Sequence, residues 1–218
     1  MKKIIKLVMV LAISAITLSA CRIMGGKTND PNDVKSYETV HDMLLNLKTY
    51  KSEASVTYIS NKGKNTYNTL QHSKITGEYR VEVVGPAEVA GNITLFDGNT
   101  IYQYNENISN RIAVGTTDTQ ERSEIFLTSF IRNYLNSPEV SVTVFNTTDN
   151  NTTVLEAKIS GDHPYLYKEK LWVDNETFLP IQLVLYDADG MERIVIQYQS
   201  FDFNQELLEE LFLAPQLN

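Results

Sequence analysis

One cysteine stands in the whole chain of 218 residues, Cys21. No disulfide can close within such a chain and no cysteine-ligated zinc site can form, so stability has to come from a packed core. Histidine is nearly as scarce, with only His41, His72 and His163. None has a second histidine or a carboxylate at a metal-ligand spacing such as His-Glu-x-x-His, and each reads as a surface or loop residue. There is no Gly-x-Ser-x-Gly elbow and no glycine-rich phosphate loop. The residues therefore point to no enzyme, no metal and no cofactor. Basic side chains are outnumbered 19 to 27, for a net charge of −8. A chain without a basic stripe has nothing to offer the phosphates of a nucleic acid. No apolar run reaches the roughly 20 residues that a membrane-spanning helix needs.

What is present begins with Met1 to Cys21. Lys2, Lys3 and Lys6 form a positive head, Leu7 to Leu18 is a short apolar run, and Ser19-Ala20 precedes the cysteine. That order describes a secretory signal. Leu18-Ser19-Ala20-Cys21 resembles the bacterial lipobox, which implies cleavage after Ala20 and attachment of lipid to the Cys21 thiol. The expected organisation is a lipoprotein signal peptide over 1–20, a polar flexible tether over 21–33 and one folded domain over 34–213. The mature protein would sit outside the cytoplasm, held to a membrane by acyl chains, two or three of which anchor firmly where one is marginal.

From Asp33 to Lys48 the apolar period is helical. Val40, Met43, Leu44 and Leu47 fall at i, i+3, i+4 and i+7, with Asp33 or Ser36 as a cap. After Tyr50 the period becomes two. Glu53 to Tyr58 and Glu78 to Val83 alternate as half-buried strands, Asn61-Lys62-Gly63 is a turn, and Asp97-Gly98 between two strand-like runs is a strong hairpin signal. Glu121 to Leu135 returns to helical spacing, with Phe126, Leu127, Phe130, Ile131, Tyr134 and Leu135 covering so wide a face that the helix must be buried. Pro138 follows its end. Strands resume at Val140–Val144, Leu155–Ile159, Leu171–Val173, Ile181–Tyr186 and Arg193–Phe201. Asn204 can cap a short last helix carrying Leu207, Leu208, Leu211 and Phe212. This predicts an α+β, mainly antiparallel β fold: ten or eleven strands in one curled sheet, with helices on its concave side.

The aromatic side chains are the remaining signal, with 12 Tyr and 8 Phe beside a single Trp. Tyr79, Tyr102, Tyr104, Trp172, Tyr186 and Tyr198 lie in predicted strands. Phe126, Phe130 and Tyr134 lie on the buried helix. These side chains either fill a core or line a groove for an acyl chain or peptide, or a surface for a protein partner. The candidate set is Tyr79, Tyr102, Tyr104, Phe126, Phe130, Tyr134 and Trp172.

At Leu171 to Asn204 the chain reads LWVDNETFLPIQLVLYDADGMERIVIQYQSFDFN. Trp172, Asp174, Leu179-Pro180, Tyr186-Asp187 and Gly190 resemble the carboxy-terminal hairpins of the LolA-like lipoprotein-carrier superfamily. Phe96 to Tyr104 (FDGNTIYQY) resembles its central hairpin. The resemblance implies an unclosed half-barrel with helices in the opening. Because Cys21 would anchor the protein, it looks most like the clostridial germination lipoproteins of the GerS type. Those act as non-enzymatic partners of a zinc-dependent N-acetylmuramoyl-L-alanine amidase of the spore cortex. Carriage of lipid or lipoprotein acyl chains, and envelope-stress sensing, are the other roles found in the superfamily.

Overall fold

The computed structural model describes residues 31–105, 111–115, 122–161 and 165–213. The predicted signal peptide, Cys21, most of the tether and His163 lie outside them. Among the described residues are two α-helices, α1 (Pro31–Leu45) and α2 (Leu127–Asn136), and eleven strands. The strands are β1 (Thr49–Ser60), β2 (Gly63–Lys74), β3 (Tyr79–Gly85), β4 (Asn92–Phe96), β5 (Thr100–Asn105) and β6 (Arg111–Gly115). After α2 follow β7 (Val140–Asn146), β8 (Asn151–Lys158), β9 (Lys168–Asp174), β10 (Pro180–Tyr186) and β11 (Glu192–Phe203).

All eleven form one sheet in the order β6-β5-β4-β3-β2-β1-β11-β10-β9-β8-β7, every pair antiparallel. The two outer strands of that order, β6 and β7, do not pair with each other, so the sheet is a half-barrel rather than a barrel. Short hairpins build it because turn residues recur where the alternation breaks. At Asp97-Gly98 the glycine takes φ +94°, and the Asp97 carboxylate accepts from the backbone N–H groups of Asn99 (2.8 Å) and Thr100 (2.7 Å). Asp187 closes the β10–β11 turn in the same manner, accepting from the N–H groups of Asp189 and Met191 and pairing with Arg193.

The helices lie on one face of the sheet, the inner one. Val40, Leu44 and Leu47 of the first apolar stripe are buried there with Tyr50, Ala54 and Val56 of β1, Leu171 and Val173 of β9, Leu183 and Leu185 of β10, and Ile194 and Ile196 of β11. Burial of this apolar surface, at about 25 cal/mol per Å², is the main favourable term.

Four local expectations need correction. The second helix is not continuous: a 3-10 turn at Arg122–Ile125 is followed by Phe126 in extended conformation (φ −99°, ψ 140°), and the α-helix starts only at Leu127. Asn204 caps no helix. It adopts φ +51°, and its side chain accepts from the Lys48 N–H (2.7 Å) and donates to the Asn46 carbonyl (3.2 Å), tying the end of β11 to the segment after α1. The last helix is a single 3-10 turn, Glu209–Phe212, too short for the four-residue apolar face expected of it. Asp33, proposed as a cap, instead accepts a hydrogen bond from Asn146 of β7.

Candidate functional site

The period-two alternation of each strand sends neighbouring side chains to opposite faces, and the register decides which aromatics meet. Tyr79 lies on the inner face, opposite Ser73 and Phe96. Its ring packs on Phe126 with centroids 4.5 Å apart. Phe130 and Tyr134 stack one turn apart on α2, at 5.8 Å. These four of the seven candidates belong to one cluster, and Phe126, Leu127, Phe130 and Ile131 are all buried within it. The expected inner aromatic surface is therefore covered by the chain's own helix.

Tyr102, Tyr104 and Trp172 do not join them. Tyr102 pairs with Leu95 and Tyr104 with Ile93, on the outer face. There they border a second cluster of Ile93, Leu95 and Phe212, flanked by Leu207 and Leu211 of the chain's end. The Tyr104 hydroxyl accepts from Arg80 at 2.7 Å. Trp172 sits between Leu171 and Val173, both fully buried inward, so its indole faces outward, half-buried. One groove lined by all seven does not exist, because strand parity divides them between two faces.

Sequence reasoning missed the polar residues that hold α2 in place. No side chain caps the helix at Phe126. The hydroxyl of Tyr50, a fully buried residue of β1, takes that role by accepting from the Leu127 N–H (3.2 Å) while donating to Gln71 Oε1 (3.2 Å). Gln71 donates onward to Thr69 (3.3 Å), which donates to the Ala54 carbonyl (3.0 Å). Ser73 and Thr128 share a hydrogen bond of 2.9 Å. Tyr50 also stacks on Phe201 at 4.7 Å, and burial pushes its phenol pKa well above the usual value. Each of these bonds satisfies a buried polar group that would otherwise cost about 1–3 kcal/mol.

Glu169 is the least expected member. It is 1% exposed, on the inner face of β9 between Ala157 and Leu185. Its carboxylate accepts from Asn133 of α2 at 2.8 Å. Burial raises its pKa to about 7, the Asn133 hydrogen bond offsetting only part of that. Tyr198 of β11 is close enough for the Glu169 charge to raise its phenol pKa, after burial as the larger cause.

Two histidines lie within the described residues, and neither is a simple surface residue. His72 is buried in β2, where burial and then the charges of Lys51 and Arg80 lower its pKa to about 4. His41 lies between Tyr37 and Tyr134, its ring 5.6 Å and 6.1 Å from theirs. No group of three or more His, Cys, Asp or Glu among the described residues could hold a metal ion. No helix among them is long and apolar enough to cross a membrane.

The model of a family described as sporulation protein YdcC-like matches residues 1–212, nearly the full chain. The chain belongs to that family. Among solved structures, this YdcC-like protein is similar to an uncharacterised conserved protein of Thermus thermophilus, with 11% identity, 83% of this chain and 95% of that one covered, and a TM-score of 0.50. It is similar to the GerS lipoprotein–CwlD amidase complex of Clostridioides difficile, at 26% identity over 83% of this chain and 100% of the matched one, with a TM-score of 0.48. A LolA superfamily protein of Nitrosomonas europaea matches at 15% identity over 84% of this chain and 97% of that chain, with a TM-score of 0.47. No curated protein matches the chain. The fold of this YdcC-like protein is an unclosed antiparallel half-barrel with helices packed on its inner face.

Proposed function

We propose that this protein is a membrane-tethered, non-enzymatic binding protein of the sporulating cell that supports a cell-wall hydrolase. The partner class is the one that the resemblance at Leu171–Asn204 implies, a zinc-dependent N-acetylmuramoyl-L-alanine amidase acting on cortex peptidoglycan. Lipid on Cys21 holds the 34–213 domain at the outer surface of a membrane through the 21–33 tether. The tether raises the effective concentration of domain and partner on one surface.

One observation carries the choice of protein binding over acyl-chain carriage. Phe126, Leu127, Phe130 and Ile131 are buried against the inner face, so the half-barrel's opening is occupied by its own helix. An acyl chain would have to displace α2 and the Tyr50, Ser73 and Glu169 hydrogen bonds that hold it. What the domain offers without rearrangement is its outside. The superfamily fold itself favours carriage as the second reading.

The test is affinity capture of the tagged full-length protein from sporulating cells. Recovery of a cell-wall amidase, with no lipid beyond the covalent anchor in the mass spectrum, is the expected result. Co-purified lipid in stoichiometric amount with no amidase would replace this reading with carriage. Cys21→Ser should move the protein from the membrane to the soluble fraction; unchanged partition into detergent would refute the tether.

A further inference from the structure

Helix α2 has the inner face of the sheet on one side and solvent on the other. Thr128 near its start shares a hydrogen bond with Ser73 of β2, and Asn133 further along donates to Glu169 of β9 at 2.8 Å. In the strand order these contacts carry the helix across β1, β11 and β10. Its side chains Leu127, Phe130 and Ile131 are buried, whereas Arg132, Leu135 and Asn136 are exposed. Extended residues, Phe126 and Ser137, flank it at both ends, and no side chain of the N-cap residue holds its start. Among the described residues Tyr50, Ser73 and Glu169 tie it to the sheet by hydrogen bonds, and of these Glu169 alone brings a carboxyl.

The charged side chains around Glu169 are turned away from it. Lys168 and Lys170 of its own strand alternate to the outer face, where both pair with Glu156 of β8, at 3.1 and 2.8 Å. Lys158 of β8 pairs with Glu139, leaving Ala157 as the inward neighbour on that strand. On β10 Leu185 faces inward, and Tyr186 lies outward beneath the two lysines. Tyr198 of β11 is a neutral phenol whose buried hydroxyl makes no hydrogen bond among the described residues, so it donates nothing to the carboxylate. On α2 Tyr134 stacks on Phe130 and Arg132 is exposed; on α1 the titratable group turned toward α2 is His41, its ring 6.1 Å from that of Tyr134. A protonated Glu169 sits in these surroundings as a neutral hydrogen-bonding group. An ionised one is a buried charge held by one hydrogen bond, with no cation paired to it among the described residues. The sheet closes one side of it and α2 the other, so moving α2 is the smallest change that lets water reach the carboxylate.

We propose that α2 is a proton-controlled latch: it is seated while Glu169 is protonated, and loss of that proton to solvent favours a state in which the helix has lifted and the apolar inner face is open. Burial raises the Glu169 pKa from 4.5 to about 7 in the seated state, the Asn133 hydrogen bond opposing part of the rise; in the lifted state the carboxyl meets water and returns to its ordinary value. Between those two values each pH unit moves the balance tenfold toward the lifted state, for a total of roughly 300-fold, and outside them it is level. The latch is independent of what binds the outside of the domain, and failure to capture an amidase would leave it untouched.

Amide exchange of the full-length protein in detergent, followed from pH 5 to 8 by mass spectrometry of peptides covering α2, β1 and β11, tests this once intrinsic rates are divided out. Protection in α2 should fall about tenfold per pH unit up to about 7 and then level off, while staying below that of β1 and β11 at every pH. In Glu169→Gln it should not change with pH. Asn133→Ala removes the one hydrogen bond that favours the charged form, so the levelling point should move to higher pH. Three results would each overturn the proposal: α2 protection independent of pH in the wild type; the same slope in Glu169→Gln; or protection in α2 equal to that of β1 and β11 throughout, which would mean that only unfolding of the whole domain frees the carboxyl. Should Glu169→Gln fail to fold, Asn133→Ala decides, and a levelling point that stays in place would overturn the latch.

Discussion

Replacing Glu169 with Gln keeps the side chain's shape and its acceptor for Asn133 while removing the only titratable group on the inner face of β9. In the folded protein the carboxyl is 1% exposed and its pKa is raised from 4.5 to about 7 by burial. Among the described residues no lysine, arginine or histidine pairs with it; Asn133 of α2 donates a hydrogen bond, Tyr198 of β11 is neutral, and Ala157 and Leu185 flank it. The unfolded chain loses this proton near pH 4.5 and the folded chain keeps it until about 7. Within that window the folded state binds more protons, so stability falls as pH rises, and it levels off above the upper value. The shift corresponds to about 3 kcal/mol, since each pKa unit is about 1.4 kcal/mol. Urea unfolding of wild type and Glu169→Gln across pH 4 to 8 measures it. The difference in stability between the two should swing by about 3 kcal/mol in favour of Gln as pH rises. Curves that stay parallel to within about 0.5 kcal/mol would refute the assignment of a buried, uncompensated carboxyl.

Tyr50→Phe leaves the Leu127 N–H without its acceptor and should cost about 1–3 kcal/mol in urea unfolding, with α2 losing amide-exchange protection first; unchanged protection in α2 would refute the capping role. Phe130→Ala removes a fully buried ring, and a loss of about 3–5 kcal/mol is expected in the same assay; a loss below 1 would mean that the helix does not fill the inner face. His72 titrates in the opposite sense to Glu169. Its folded pKa of about 4 lies below the ordinary 6.5, so the stability it contributes is lost as pH falls from 6.5 toward 4. His72→Gln should flatten that acid limb, and an acid limb identical to wild type would refute it.

Much of this was legible in the alternation of the strands. The hairpins at Asp97-Gly98 and Asp187–Gly190, the first apolar stripe and the buried helix at Phe126–Tyr134 all follow from period and turn chemistry. The grouping of aromatics was not. Apolar residues occupy both faces of β4, with Ile93 and Leu95 outward under Phe212 and Phe96 inward on Tyr79, so composition cannot assign Tyr102 and Tyr104 a side. Only the register does. Leu171-Trp172-Val173 is equally mute, being apolar at three successive positions. Glu169 was within reach: two residues before Leu171 it shares that residue's face, yet between Lys168 and Lys170 it looks like solvated charge. The extended residue at Phe126 was not, because the apolar spacing runs through it unbroken, and its packing on Tyr79 is a contact between segments far apart in the chain.

In the strand order, every neighbouring pair but one joins strands consecutive in the chain; the exception is β1 with β11, at the centre. Each flank can zip up hairpin by hairpin at little loop-closure cost, whereas the middle seam must wait for ends some 140 residues apart in the chain to find one another. That seam carries the largest loop-closure cost of the sheet, and its loss would leave two curled ribbons, each with a newly unpaired edge open to association with other chains.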